Sequence, residues 1–262
     1  MQGRGWTFKT VASEYEKLRP GYVKELYDRL LSYAPLNGSS RVVEVGIGGG
    51  QATLPVLKTG CELTAVECGA QLADICREKF RDYPGFSVIT GRFEDVELEA
   101  GAYDLVFSAS AFHWIPEEVG YGKVYSLLKS GGAFARFANH PFRDKGNPAL
   151  TEEIDRLYGK YYYAFYDRKQ EYPVEYSEEK ARERALIAAK YGFCDIQYAL
   201  FTRTRTFTPS GYSALLGTYS DHIAIEEGLR REFFAGIEQA IERHGGTITI
   251  YDTIDLQLAR KP

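Results

Sequence analysis

The residues best suited to chemistry start at Glu44-Val45-Gly46-Ile47-Gly48-Gly49-Gly50-Gln51, a glycine-rich stretch headed by a carboxylate. Alternating glycines let a backbone turn sharply and come close to a ligand, and amides opening a following helix favour an anionic group. The dinucleotide fingerprint G-x-G-x-x-G asks for a third glycine three places after the second. Counted from Gly46 and Gly48 that place is Gln51, so a nicotinamide site fits poorly. Glu44 argues the same way, because a carboxylate there could hold the loop or a ligand amine but has no use beside a pyrophosphate. A second carboxylate, Glu67, ends the run Thr64-Ala65-Val66-Glu67, where it could accept from both hydroxyls of a ribose. A third cluster, Ser108-Ala109-Ser110-Ala111-Phe112-His113-Trp114, sits at another strand end, the edge where α/β sheets bind ligands. Imidazoles titrate near neutrality, so His113 is the first candidate for a general base, with His140 and His222 as the others.

The elements that must position these residues come in a rhythm. An apolar face of Val23, Leu26, Tyr27, Leu30 and Leu31 predicts a helix over 22–33, stopped by Pro35 and Asn37-Gly38. Strands are then expected at 41–45, 62–66, 86–89, 103–108 and 133–138, with helices over 51–57, 71–80 and 117–128 between them. Such alternation implies parallel βαβ units with right-handed crossovers. Past Asn139 the rhythm breaks into a segment rich in Tyr, Arg and Pro that includes Tyr158, Tyr161, Tyr162, Tyr163 and Tyr166. Ser177 is placed as the N-cap of a helix to 190. A strand at 193–201, helices at 209–216 and 226–243, and a closing strand at 247–258 follow. The expected fold is α/β: a doubly wound, seven-stranded Rossmann-like sheet with an antiparallel last strand and a helical, Tyr-rich lid insertion. The chain is expected to be a single domain over 1–262, with core about 36–138 and 178–262 and lid elements about 1–35, 140–177 and 205–225.

With these motifs in place, residues 8–137 resemble the class I S-adenosylmethionine (SAM)-dependent methyltransferases of small-molecule type, the methyltransferase type 11 and trans-aconitate methyltransferase group. The resemblance implies SAM as cofactor and S-adenosylhomocysteine (SAH) as product. It implies that Gly46, Gly48 and Gly50, with Glu44 and Gln51, surround the methionyl moiety and that Glu67 holds the ribose. Relatives carry an acidic pair near the adenine; here Arg92 stands at the usual acidic position of Gly91-Arg92-Phe93-Glu94-Asp95, so that role passes to Glu94, with Phe93 packing on the ring. Ser110, Ala111 and Trp114 are implied beside the methyl group. Tyr15 and Arg19 would meet the methionyl carboxylate, an arginine fork being suited to it. The Tyr-rich segment and residues 209–222 would form a lid, its tyrosines binding an acceptor, cradling a sulfonium or packing insert against core.

Composition narrows the partners. The net charge of −4 argues against a ligand recognised mainly through phosphates, and residues 110–114 lack the N-P-P-Y signature of amide and base methylation. A small-molecule substrate is therefore expected, with no nucleic acid and no membrane. The four cysteines, Cys61, Cys68, Cys76 and Cys194, form no C-x-x-C pair and suggest reduced thiols in a cytoplasmic protein. Methyl transfer from a sulfonium needs alignment rather than a metal, and the sequence offers no ligand cluster for one. The competing readings are a non-catalytic SAM-binding regulator, an NAD-dependent oxidoreductase and, disfavoured by charge, an RNA methyltransferase.

Overall fold

A computed structural model describes residues 21–143 and 145–262. They divide into two compact units. The core unit comprises residues 21–139, 177–201 and 254–262; the inserted unit comprises residues 140–176 and 202–253.

The strands are β1 (Arg41–Val45), β2 (Glu62–Glu67), β3 (Phe86–Thr90), β4 (Tyr103–Ala109), β5 (Leu128–Arg143), β6 (Cys194–Phe207) and β7 (Ile248–Arg260). They form one seven-stranded sheet in the order β3-β2-β1-β4-β5-β7-β6, with an antiparallel last strand. The order runs outward in both directions from β1, as in doubly wound folds. β1 pairs in parallel with β2 on one side and β4 on the other, Val43 lying opposite Thr64 and Val106. β5 and β6 run beyond the spans that the periodicity predicts.

Alternation along the strands supplies two cores. Val42, Leu63, Ala65, Leu105 and Phe107 pack on one face. Val43, Val45, Val66, Val106 and Phe134 pack on the other. The first face is covered in part by α1 (Lys24–Tyr33), which buries Leu26, Tyr27, Leu30 and Tyr33. Each fully buried leucine there contributes roughly 1.5–3 kcal/mol. α2 (Thr53–Leu57) is a single short turn, so the helix expected over 51–57 opens two residues late and offers little dipole at the glycine loop. α3 (Ala70–Lys79) and α4 (Glu117–Leu127) agree with the apolar periodicity.

In the inserted unit, α5 (Pro148–Leu157) runs on into a wider π turn, Tyr158–Tyr163. α6 (Glu178–Leu186) returns to the core unit, its N-cap Ser177 accepting from the Lys180 amide as placed from sequence. α7 (Pro209–Leu216), α8 (Ser220–Ile223) and α9 (Glu227–Arg243) complete the inserted unit. Its own core joins Leu150, Ile154, Tyr212, Leu216, Phe233 and Ile237. Among the described residues no helix is long and apolar enough to cross a membrane.

Candidate active site

The glycine loop leaves β1 in a backbone shape that side chains resist. Gly46, Gly48 and Gly50 have φ of 73°, 56° and 73°, all in the left-handed region. Gly46 also lacks room: a Cβ there would stand 2.4 Å from Ala111 Cβ, so the turns after β1 and β4 meet at this point. The loop is pinned from outside. Gly46 N donates to Val66 O at 2.9 Å, while Cys76 Sγ and Lys79 Nζ of α3 hold the carbonyls of Gly48 and Gly49 at 3.1 and 2.9 Å. Glu67, at the end of β2, accepts from the Gly48 amide at 2.9 Å and the Gly69 amide at 2.8 Å. Glu67 therefore joins the first two strand ends, and its carboxylate keeps further lone pairs for ligand hydroxyls.

Beneath the loop Glu44 is fully buried. Thr53 Oγ1 donates to its Oε2 at 2.7 Å, and its Oε1 has no partner among the described residues. Burial pushes the carboxyl up to about 8; the Glu67 charge adds to this, while the Thr53 hydrogen bond and Lys79 oppose it. Gln51 Nε2 is likewise buried without an acceptor. The loop thus carries one unmatched acceptor and one unmatched donor, the complement of an amino-acid end with its ammonium and carboxylate. The methionyl end of SAM has those groups, so the residues present fit it.

The β4 end is equally particular. Ser110 takes φ 54°, uncommon outside glycine and characteristic of binding sites. Its amide donates to Phe137 O at 2.9 Å, and its hydroxyl lies 2.9 Å from the Tyr22 hydroxyl. Ala111 follows, against Gly46. Phe112, His113 and Trp114 then make a single 3-10 turn. Phe112 is buried against Tyr121 and Phe134, with the Arg136 guanidinium 4.8 Å from its ring. That anchor leaves Trp114 75% exposed beside His113 at the strand end. Partial burial, with the charges of Arg184 and Arg136, holds His113 below its ordinary value, so the imidazole is neutral at pH 7 and can accept a proton.

After β3, Phe93 is buried in the core with Lys123 Nζ 5.1 Å from its ring. Glu94 accepts from Arg92 at 2.7 Å, which holds its carboxyl below the usual range. The arginine at the usual acidic position therefore draws on the neighbouring acid.

His140 and His222 belong to the inserted unit. His140 stacks on Tyr176 at 3.6 Å. His222 is buried; its Nδ1 lies 2.9 Å from Asp221 and its Nε2 3.0 Å from the Tyr158 hydroxyl. A carboxylate only accepts, so Nδ1 carries a hydrogen, and Nε2 is engaged by the Tyr158 hydroxyl. Both ring nitrogens are thus committed. Tyr15 and Arg19 lie outside the described residues. Residues missed from sequence are Tyr22, Thr53, Cys76 and Lys79; the spacing of Cys76 and Lys79 on α3 is the one signal that could have paired them with the loop.

A methyltransferase-domain family model matches residues 43–135, the span from β1 into β5. An uncharacterised methyltransferase of Schizosaccharomyces pombe is 26% identical over 91% of this chain and 88% of its own length. Among solved structures, a candidate type II methyltransferase of Anaeromyxobacter dehalogenans aligns with a TM-score of 0.61 at 20% identity, covering 92% of this chain and 97% of that one. A Haemonchus contortus phosphoethanolamine N-methyltransferase, solved with phosphomonomethylethanolamine and SAH, aligns at 0.55 with 17% identity over 96% of this chain; the chain spans 57% of that longer protein. These two likenesses concern the fold. The domain match and the Schizosaccharomyces pombe relative make the chain similar to methyltransferases, over residues 43–135 by the first and over most of its length by the second.

Proposed function

We propose that the protein transfers the methyl group of SAM to a small-molecule acceptor at the C-terminal ends of β1, β2 and β4. The observation that carries this reading is the buried, unmatched pair of Glu44 Oε1 and Gln51 Nε2 under a loop of left-handed glycines. Glu44 and Gln51 would take the ammonium and carboxylate of the methionyl end, Glu67 the ribose, and Glu94 the adenine edge. Bound there, the cofactor supplies an electrophilic methyl group on a sulfonium. Ser110 and Ala111, fixed against Gly46 and Tyr22, define the wall beside it, and Trp114 supplies an aromatic surface that excludes water. His113, neutral at pH 7, takes a proton from an acceptor that arrives protonated. The net charge of −4 and the lack of an N-P-P-Y signature favour a small acceptor over nucleic acid.

Calorimetry with SAM, SAH and NAD, followed by transfer of labelled methyl to pooled small metabolites, tests the proposal. SAM and SAH should bind in the micromolar range, NAD should not, and label should appear in a low-mass product. NAD binding without SAM binding would replace the reading with an oxidoreductase. SAM binding without transfer to any acceptor would replace it with a regulator.

A further inference from the structure

In the inserted unit three arginines meet two carboxylates. Arg203 and Arg205 stand two residues apart on one side of β6, and both bind Asp252 of β7. Arg203 reaches Oδ2 through Nε at 3.1 Å and Nη2 at 3.0 Å. Arg205 reaches Oδ2 through Nε at 2.6 Å and Oδ1 through Nη2 at 2.9 Å. Four hydrogen bonds reach that buried carboxylate, three at Oδ2 and one at Oδ1. Arg143, at the end of β5, pairs with Asp155 of α5. Three guanidiniums therefore share two carboxylates.

Aromatic rings line much of the cluster. Arg143 lies 4.8 Å from the centre of the Tyr158 ring and Arg205 5.1 Å from that of Phe207, so aromatic faces rather than water flank the guanidiniums. Tyr212 lies within electrostatic reach of both arginines. Burial pushes its phenol up to about 12, while Arg143, hydrogen-bonded to it, and the nearby Arg205 both oppose the rise. Two guanidinium N–H groups, Arg143 Nε and Arg205 Nη1, are buried and find no acceptor among the described residues. An unmet donor on a charged group is the costly kind, and native structures rarely keep one without a partner to fill it. An oxyanion offers acceptors to both donors, and guanidinium N–H groups bond most strongly to charged acceptors. Arg143 also borders a cleft of about 460 Å³ whose wall carries Lys145 and Arg156 beside Glu152 and Asp155, roomy enough for a small solute.

We propose that Arg143 and Arg205, with the Tyr212 hydroxyl, form an oxyanion-binding site for a small molecule bearing a carboxylate or phosphate group. The site lies within the inserted unit and stands apart from the methyl-transfer reading, which concerns the core unit. Its test is titration of the intact protein with inorganic phosphate and, separately, with malonate, against chloride at equal ionic strength, read by calorimetry and thermal midpoint. At least one anion should bind saturably where chloride does not; the phosphate and malonate arms identify which group the site takes. Arg205→Gln should weaken that binding about tenfold or more, the weight of a charged hydrogen bond. Arg143→Lys keeps the charge and leaves the Asp252 pairs intact, yet should weaken it similarly by removing Nε. Asp252→Asn should tighten it, because both arginines are released from their carboxylate; mere loss of structure does not produce that sign. SAH affinity, measured on each variant, should stay unchanged and so separates failure of this inference from failure of the methyltransferase reading. Responses to both anions no larger than to chloride would overturn the proposal, as would binding indifferent to both Arg143→Lys and Arg205→Gln.

Discussion

Replacing Glu44 by Gln isolates the energetic consequence of burying that carboxyl. In the folded chain its pKa stands at about 8 instead of 4.5, chiefly through burial. Between those values the folded protein keeps a proton that the unfolded chain has lost. Stability from this group is therefore highest below pH 4.5, falls as pH rises, and stops falling above about 8. At 1.36 kcal/mol per pH unit, the loss amounts to about 3 kcal/mol by pH 7 and about 5 kcal/mol once the folded carboxyl has ionised. A glutamine has nearly the shape of the protonated acid and does not titrate. Glu44→Gln should therefore gain on the wild type by those amounts as pH rises, around whatever fixed offset its amide brings beside Thr53. Urea denaturation of both proteins without cofactor, at pH 5, 7 and 9, measures the difference directly, and other titrating groups cancel in it. A difference constant to within about 0.5 kcal/mol across that range would mean that the folded carboxyl ionises normally, and the burial argument would fail.

Other outcomes follow from the same site. If Glu44 receives the ligand ammonium, SAH binding at pH 7 should release close to one proton and tighten from pH 6 to 8; equal binding enthalpies in phosphate and Tris buffers would exclude this. Gly46→Ala should cost about 2–4 kcal/mol and remove SAH binding, since the added methyl meets Ala111 at a left-handed φ; a mutant with wild-type thermal midpoint and affinity would contradict the contact. Glu67→Ala should weaken SAH binding by about 1–3 kcal/mol through loss of the ribose acceptor and of the Gly48 anchor. Unchanged affinity in that mutant would show that the ribose is held elsewhere.

The elements around the site were legible because their signals are local. β1 and β2 declare themselves through β-branched alternation, α1 through its apolar face, and Ser177 through its type and position. The glycine loop is visible because only glycine tolerates φ near +70° with Ala111 so close. What escaped reading depends on contacts far apart in sequence. Nothing about a serine marks Ser110 as left-handed; β4 and the Tyr22 hydroxyl hold it so. Lys79 reads as an ordinary basic residue at a helix end, yet its ammonium closes the loop carbonyl. Arg203 and Arg205 obey the two-residue period of a strand, and that period alone suggests a solvated face; only the pairing of β6 with β7 brings Asp252 to them.

Three departures from local rules in the core unit come together where β1 and β4 end, while two others, the unmatched Gln257 Oε1 on β7 and the left-handed Asp195 on β6, lie elsewhere. Glu44 is a buried acid with one oxygen unmatched, Gln51 a buried amide with one donor unmatched, and Ser110 a side-chain-bearing residue in a glycine's conformation. Each costs the bare fold stability, and none improves packing, since Val42, Val43, Leu105 and Val106 are already fully buried alongside. Sheet positions a few residues earlier show no such departure. Three of the five departures gather on one pair of touching turns, where a single ligand could repair them together. The donor and the acceptor left open there differ in sign, which points to a zwitterionic ligand end rather than to a phosphate.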